Sequence, residues 1–261
     1  KAAETFRSSI DLDSSNNDIY GVAITYNNLS FVYKSAGKLN KSVWALLNSK
    51  KHSIVLNDKN QLSSINKSMA DILFEMGKLK TAKKYLFMSI GGEIDSSNLY
   101  RPLSLLGNIH TELGTIDSAL YYSKKAVDIC RKYNSITNQI AANYSYSAAL
   151  FKNGSTSKAK HLIIRNLAII DSLKLPFTKR AEQYILLISK DPSFEFINQN
   201  PVDSIEKIQS IIPKRNFIAS LSDYYYSRGD FQKSIALFKT ATQLNDSIRN
   251  ENHKNYIDEK N

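Results

Sequence analysis

The sequence predicts an all-α solenoid of stacked helical hairpins, and three observations carry that prediction. Turn glycines recur at Gly37, Gly77, Gly114, Gly154 and Gly229, spaced 40, 37, 40 and 75 residues apart. Small residues keep one register around them. Ser30, Ala70, Gly107, Ser147 and Ser222 precede the turns; Ser42, Ala82, Ala119, Ala159 and Ser234 follow; Ser49, Ser89, Ala126, Asn166 and Ala241 come two helical turns later. Bulky residues Tyr33, Leu73, His110, Leu150 and Tyr225 stand just before the glycines. Small side chains let two helix axes approach, and bulky neighbours fill the space beside them.

Composition agrees with an elongated array. A chain of 261 residues is long for a single core but ordinary where each unit packs only on its neighbours. Hydrophobic residues make up 42%, which excludes a disordered chain. No apolar run approaches the roughly 20 residues of a membrane span. Cys130 is the only cysteine, so neither an internal disulfide nor a thiolate metal site can form. The net charge of +11 comes from lysines scattered along the chain, with no stripe that would track a phosphate backbone.

The elements follow in order. Residues 1–11 match the second helix of a truncated unit through Ala2, Phe6 and Ser9, and the natural protein is expected to extend upstream of Lys1. Asp11–Asp18 is a polar connector with several candidate N-caps. Regular units are expected at 18–56, 60–93, 97–133 and 136–172, joined by Asn57–Asn60, Asp95–Asn98 and Asp171–Pro176. Gly91-Gly92 reads as a helix stop. Leu99–Cys130 is the cleanest copy of the unit.

The unit at 177–212 is degenerate. Its turn falls at Asp191-Pro192-Ser193, Tyr184 and Phe196 stand where small residues belong, and helical patterning resumes only at Pro201. A shortened or displaced second helix is expected there. The last unit, 214–261, carries an extended, highly charged C-terminal helix. That helix is a candidate solvated cap, lead-in to a further domain, or dimerisation element. Altogether the chain reads as about six units plus a half unit, about thirteen helices.

In this combination the pattern resembles the tetratricopeptide repeat, across nearly the whole chain. The resemblance implies a right-handed superhelix whose first helices line a concave groove. It differs from the family pattern in its 37–40-residue period and in the degenerate fifth unit. The C-terminal LSDYYYSRGDFQKSIALFKTATQLNDSIRNEN is also similar to the last repeat of bacterial tetratricopeptide sensors of transcriptional regulators and histidine kinases. That similarity implies the sensor or scaffold part of a larger regulator, at the periplasmic face of a membrane-anchored protein. A freestanding adaptor is the alternative, and a nucleic-acid-binding repeat protein is the alternative of another class.

Carried over position by position, the resemblance points a set of residues into the groove. They are Asn27, Phe31 and Lys34; Lys67, Asp71, Phe74 and Glu75; Arg101, Ser104, Asn108 and Glu112; Tyr144, Phe151 and Lys152; and Asp223 and Tyr226. Aromatics among polar groups suit a protein or peptide segment. The carboxylate clamp of the chaperone-binding members is not expected. Lys67 is followed by Asp71 rather than Asn and should pair with it, and Leu105 takes the place of a polar donor.

No catalytic, cofactor-binding or metal-binding residue is expected. His52, His110, His161 and His253 fall in different units without ligand spacing. His110 and Cys130 fall at packing positions, and no phosphate-cradling glycine loop occurs.

Overall fold

A computed structural model of the chain describes residues 2–93, 95–190 and 201–258. Among these, twelve α-helices and two short 3-10 segments account for the fold, with no strand. The helices are α1 (Ala2–Ser15), α2 (Ile19–Ser35), α3 (Leu39–Val55), α4 (Lys59–Glu75), α5 (Leu79–Gly92), α6 (Tyr100–Glu112), α7 (Ile116–Lys132), α8 (Ile136–Lys152), α9 (Thr156–Ser172), α10 (Phe177–Lys190), α11 (Ile211–Ser227) and α12 (Phe231–Asp258). The 3-10 segments are Ser96–Leu99 and Pro201–Lys207.

Five hairpins form, α2–α3, α4–α5, α6–α7, α8–α9 and α11–α12, and each turns on one of the five glycines at φ between 72° and 78°. The bond that closes each turn runs from the residue after the glycine back to the carbonyl of the bulky residue before it. Lys38 N–H donates to Tyr33 O at 2.8 Å, Lys78 to Leu73 at 2.8 Å, Thr115 to His110 at 3.0 Å, Ser155 to Leu150 at 2.9 Å and Asp230 to Tyr225 at 3.0 Å. This is a Schellman cap, and it explains why the bulky residue and the glycine keep a constant spacing.

The same cap joins successive hairpins, now with a non-glycine residue in the left-handed region. Asn17, Asn57, Asn134 and Lys174 take φ of 57°, 53°, 50° and 49°. Asn tolerates that region through its short polar side chain, whereas Lys does not. Lys174→Gly is therefore expected to stabilise the protein by about 0.5–1 kcal/mol, after the entropy of the unfolded glycine is deducted. The urea midpoint should rise, and an unchanged or lower midpoint would contradict this reading.

All fifteen small-register residues are buried. Several of the serines also bond across helices. Ser42 Oγ donates to Ser30 O at 2.6 Å, Ser49 to Ala23 O at 2.7 Å, Ser63 to Ser89 O at 2.9 Å and Ser222 to Ser234 O at 2.9 Å. The core is a chain of clusters strung along the solenoid. Ile10, Val22 and Leu29 lie at one end; Leu46, Ile65, Met69, Leu106 and Val127 follow; then Ile163 and Leu187; and Phe217, Leu221 and Leu237 at the other end.

The chain ends of the units differ from expectation in two places. α1 continues to Ser15, so the polar connector shrinks to a turn in which Asp18 Oδ1 accepts the Gly21 N–H at 2.8 Å. α11 begins at Ile211, three residues ahead of the expected boundary, with Pro213 in its first turn. There a missing N–H costs nothing, because the first four have no intrahelical acceptor. In the degenerate unit, where a shortened or displaced second helix is expected, the described residues show the 3-10 segment Pro201–Lys207 after α10. Asp191-Pro192-Ser193 and Phe196 lie outside the described residues.

The solenoid also meets itself. α12 packs against α3, and an added Cβ at Gly37 would come within 3.0 Å of Ile211 Cγ2 and 3.2 Å of Ile248 Cγ1. Ile212 joins the cluster that contains Leu73 and Phe74. The last hairpin thus sits against the first two.

Candidate functional site

α4 shows how one helix serves both core and groove. Ile65, Met69, Ile72 and Leu73 recur at helical spacing and are buried. Lys67, Asp71, Phe74 and Glu75 repeat the same spacing two residues on, about 200° around the helix, so they occupy the opposite face. That face borders two cavities.

The first cavity, of about 250 Å³, lies between α2, α4 and the start of α6. Asn27, Asn28, Phe31 and Lys34 come from α2, Ser68 and Asp71 from α4, and Arg101 from α6. Phe31 is 70% exposed although it is a large aromatic. Lys34 Nζ lies 3.1 Å from Glu75 Oε1, and an Arg101 guanidinium nitrogen lies 3.7 Å from Asp71 Oδ2. Burial raises the Glu75 pKa against the pull of Lys34. Burial, and then the Arg101 charge, lower that of Lys67 against the pull of Glu93 and Asp71. Asp71 therefore pairs with Arg101 on the next unit's first helix, where the sequence suggested its own-helix neighbour Lys67. The partner is set by packing of α6 on α4.

The second cavity, of about 480 Å³, is more apolar. Phe74 and Glu75 of α4 and Tyr144 of α8 form one side. Ala181 and Ile185 of α10, with Ile212, Pro213 and Ala219 of α11, form the other. At its margin Arg215 Nη1 donates to Asn245 Oδ1 at 3.1 Å, and its charge reaches Glu75.

Of the residues read from the sequence, Asn27, Phe31, Lys34, Asp71 and Arg101 meet at the first cavity. Phe74 and Tyr144 meet at the second. Lys67 lies one turn before Asp71 on the same face of α4. Ser104 is buried and Asn108 half-buried on α6. Phe151 packs on the cluster of Ile163, Leu186 and Leu187. Glu112, Lys152, Asp223 and Tyr226 are exposed and line neither cavity, and Tyr226 stacks edge-on to Phe231 at 5.4 Å. Missed from the sequence were Asn28, which flanks Asn27, and the α11 wall.

Outside the groove, His110 and Cys130 are buried. His110 is 8% exposed, its Nδ1 lies 2.7 Å from Thr115 Oγ1, and its ring stacks on Tyr122 at 5.4 Å. Burial and the Lys83 charge lower its pKa. Burial pushes the Cys130 thiol up to about 11, so it stays protonated at neutral pH. Among the described residues no group of three or more His, Cys, Asp or Glu could hold a metal ion. No helix there is long and apolar enough to cross a membrane.

No family model and no curated protein matches the sequence. Solved structures do match. A Rap protein complexed with competence and sporulation factor superposes with a TM-score of 0.71 at 12% identity, over 96% of this chain and 72% of that one. The Rap conjugation gene regulator of plasmid pLS20, in complex with the Phr* peptide, gives 0.71 at 16% identity, over 93% and 73%. A tetratricopeptide repeat protein from Parabacteroides merdae gives 0.54 at 12% identity, over 96% and 97%.

The chain has the tetratricopeptide-repeat fold. In a tetratricopeptide solenoid the first helix of each hairpin faces inward. Here α2, α4 and α6 line the first cavity, and α4, α8 and α11, with α10, line the second.

Proposed function

We propose that this tetratricopeptide solenoid binds an extended protein or peptide segment along its inner face, as the sensor or scaffold part of a larger bacterial signalling or regulatory protein. The observation that carries the reading is the pair of adjoining cavities that share α4, one polar and one apolar. An extended chain presents amides and side chains in alternation and can use both. Asn27 and Asn28 offer side-chain amides that match a peptide backbone, and Phe31 offers exposed aromatic area at low entropy cost. The two similar Rap structures hold a competence and sporulation factor and a Phr* peptide, which supports a peptide ligand here. Lys34, Asp71, Glu75 and Arg101 mix both signs, which suits a peptide better than a phosphate backbone.

Selection from a random peptide library displayed on phage tests this. Binders are expected that lose at least roughly tenfold in affinity on Asn28→Ala together with Phe31→Ala, two changes at the cavity surface. Binders indifferent to that double change would move the site elsewhere. The regulator context is read separately, from the reading frame beyond Asn261. An in-frame membrane segment and output domain are expected, and a stop codon directly after Asn261 with no membrane segment upstream would overturn that part.

A further inference from the structure

The last hairpin keeps the register of the others but not their cover. α3, α5, α7 and α9 each pack on the first helix of the unit that follows. Nine residues after the turn glycine, Leu46, Leu86, Ser123 and Ile163 are 0% exposed. Phe238 holds that position in α12 and is 64% exposed. Phe231 stands where Leu39 is buried and Leu79 and Ile116 are half-buried, and Ile235 where Val43 and Leu120 are half-buried. Both are exposed. Tyr226, edge-on to Phe231, completes the patch, at the position where Phe74 and Phe151 pack on core clusters.

The patch is too short to seat a further hairpin in register. Farther along α7 and α9 the same face stays buried, through Val127 and Cys130 and through Ile170. In α12 the matching places hold Thr242 and Asn245, both exposed. α12 also does not turn back where the others do. α3, α7 and α9 each end after 17 residues, whereas α12 runs for 28, which carries the chain about 16 Å farther along its own axis. The patch does match itself. Phe231, Ile235 and Phe238 lie within about 60° of one another around the helix, and their midpoint falls between Ser234 and Ile235. A second α12 laid antiparallel about a two-fold axis at that point sets Phe231 of each copy against Phe238 of the other, with both Ile235 side chains beside the axis. The flank of the stripe carries Gln232 and Lys239, both exposed. The same axis brings them within a turn of each other, so each lysine meets an amide oxygen rather than a second lysine.

We infer that two copies of this chain associate through the outer face of the last hairpin, in a self-complementary contact of Tyr226, Phe231, Ile235 and Phe238. A two-fold contact is closed, so association stops at the dimer. The driving force is burial of large apolar side chains, with aromatic pairs at its centre. Each chain carries a net charge of +11, so the copies repel one another and salt strengthens the dimer by screening that repulsion. None of the four residues lines either cavity of the groove, so dimerisation and peptide binding stand or fall separately.

The test is sedimentation equilibrium of the 261-residue chain over a range of concentrations, at low and at high salt. The mass is expected to rise from 29.5 kDa to twice that value and no further, and to do so at lower concentration when salt is raised. Phe238→Lys, with unchanged helicity by circular dichroism, should weaken the dimer at least roughly tenfold. Ile235→Cys, beside the axis, should form a disulfide between two copies under mild oxidation. Lys233→Cys, about 160° around α12 from Ile235, should not. The native Cys130 is buried and does not compete. A chain that stays monomeric up to about 1 mM overturns the inference and leaves the face to a different partner. A dimer that Phe238→Lys leaves intact overturns it as well, and so does association that continues past the dimer. Should Phe238→Lys disturb the fold, the two cysteine variants decide, because equal cross-linking at both positions, or none at either, rules out the two-fold contact.

Discussion

Gly107→Val is expected to destabilise the protein by about 3 kcal/mol, because it puts a branched side chain where two helices touch. Even a single added Cβ at Gly107 would lie 2.9 Å from Ser123 Cβ, 3.2 Å from Ser123 N and 3.3 Å from Ser123 Cα. Two of those atoms are α7 backbone, so no rotamer change relieves the contact. α6 would have to move away from α7, and α6 also packs on α4 and α8. Thr111 Oγ1 donates to Gly107 O at 2.8 Å, so the helix around the glycine is itself fixed. An exposed mid-helix Gly→Ala change gains up to about 1 kcal/mol from propensity. At Gly107 even Ala should therefore lower the urea midpoint. At Gly91, where an added Cβ meets nothing within 4 Å, it should raise it. Equal signs at the two glycines would refute close approach as the reason for Gly107.

That contrast marks what could be read from the sequence. Gly107, Ala119 and Ala126 were legible as touching residues because a small side chain in a repeated register has one physical meaning. The turn glycines were legible for the same reason, since only a left-handed residue closes the cap. The inter-hairpin turns at Asn57, Asn134 and Lys174 use the same cap, but Asn is common in polar connectors and Lys gives no signal at all.

The groove was legible in part. Asn27, Phe31, Lys34, Asp71 and Arg101 sit on neighbouring first helices, so unit register alone brings them together. Asp223 and Tyr226 fell outside the cavities because position within a repeat does not fix how far the array has turned. The contact of Ile211 and Ile248 with Gly37 depends on the summed rotation of every intervening unit. No local pattern encodes that sum, so the α11 wall of the second cavity could not be foreseen. Phe151 is a groove residue by its place in the repeat, but its neighbours Ile163, Leu186 and Leu187 place it against a core cluster.

Asn166 stands at a small-register position and is 0% exposed, and Asn166→Leu is expected to cost about 3 kcal/mol. Its Oδ1 accepts from Asn143 Nδ2 at 3.0 Å. Its Nδ2 donates to Ile140 O at 3.0 Å and to Gln183 Oε1 at 3.1 Å. One side chain of α9 thus joins α8 to α10, in a network whose other two side chains, Asn143 and Gln183, are 1% and 0% exposed. Asn143 Oδ1 and Gln183 Nε2 already lack partners. Removing Asn166 leaves further amide groups unpaired in a site with no competing solvent, and each such group costs about 1–3 kcal/mol. Leucine restores apolar contact but no hydrogen bond. If the loss comes from stranded partners, Gln183→Leu added to Asn166→Leu should cost less than the two single changes summed, by about 1 kcal/mol or more. Strict additivity in urea unfolding would mean that the two amides do not act together. The consequence reaches the groove, because α10 supplies Ala181 and Ile185 to the second cavity and Gln183 lies between them. Loosening that anchor should weaken selected peptides that place an apolar residue in the second cavity.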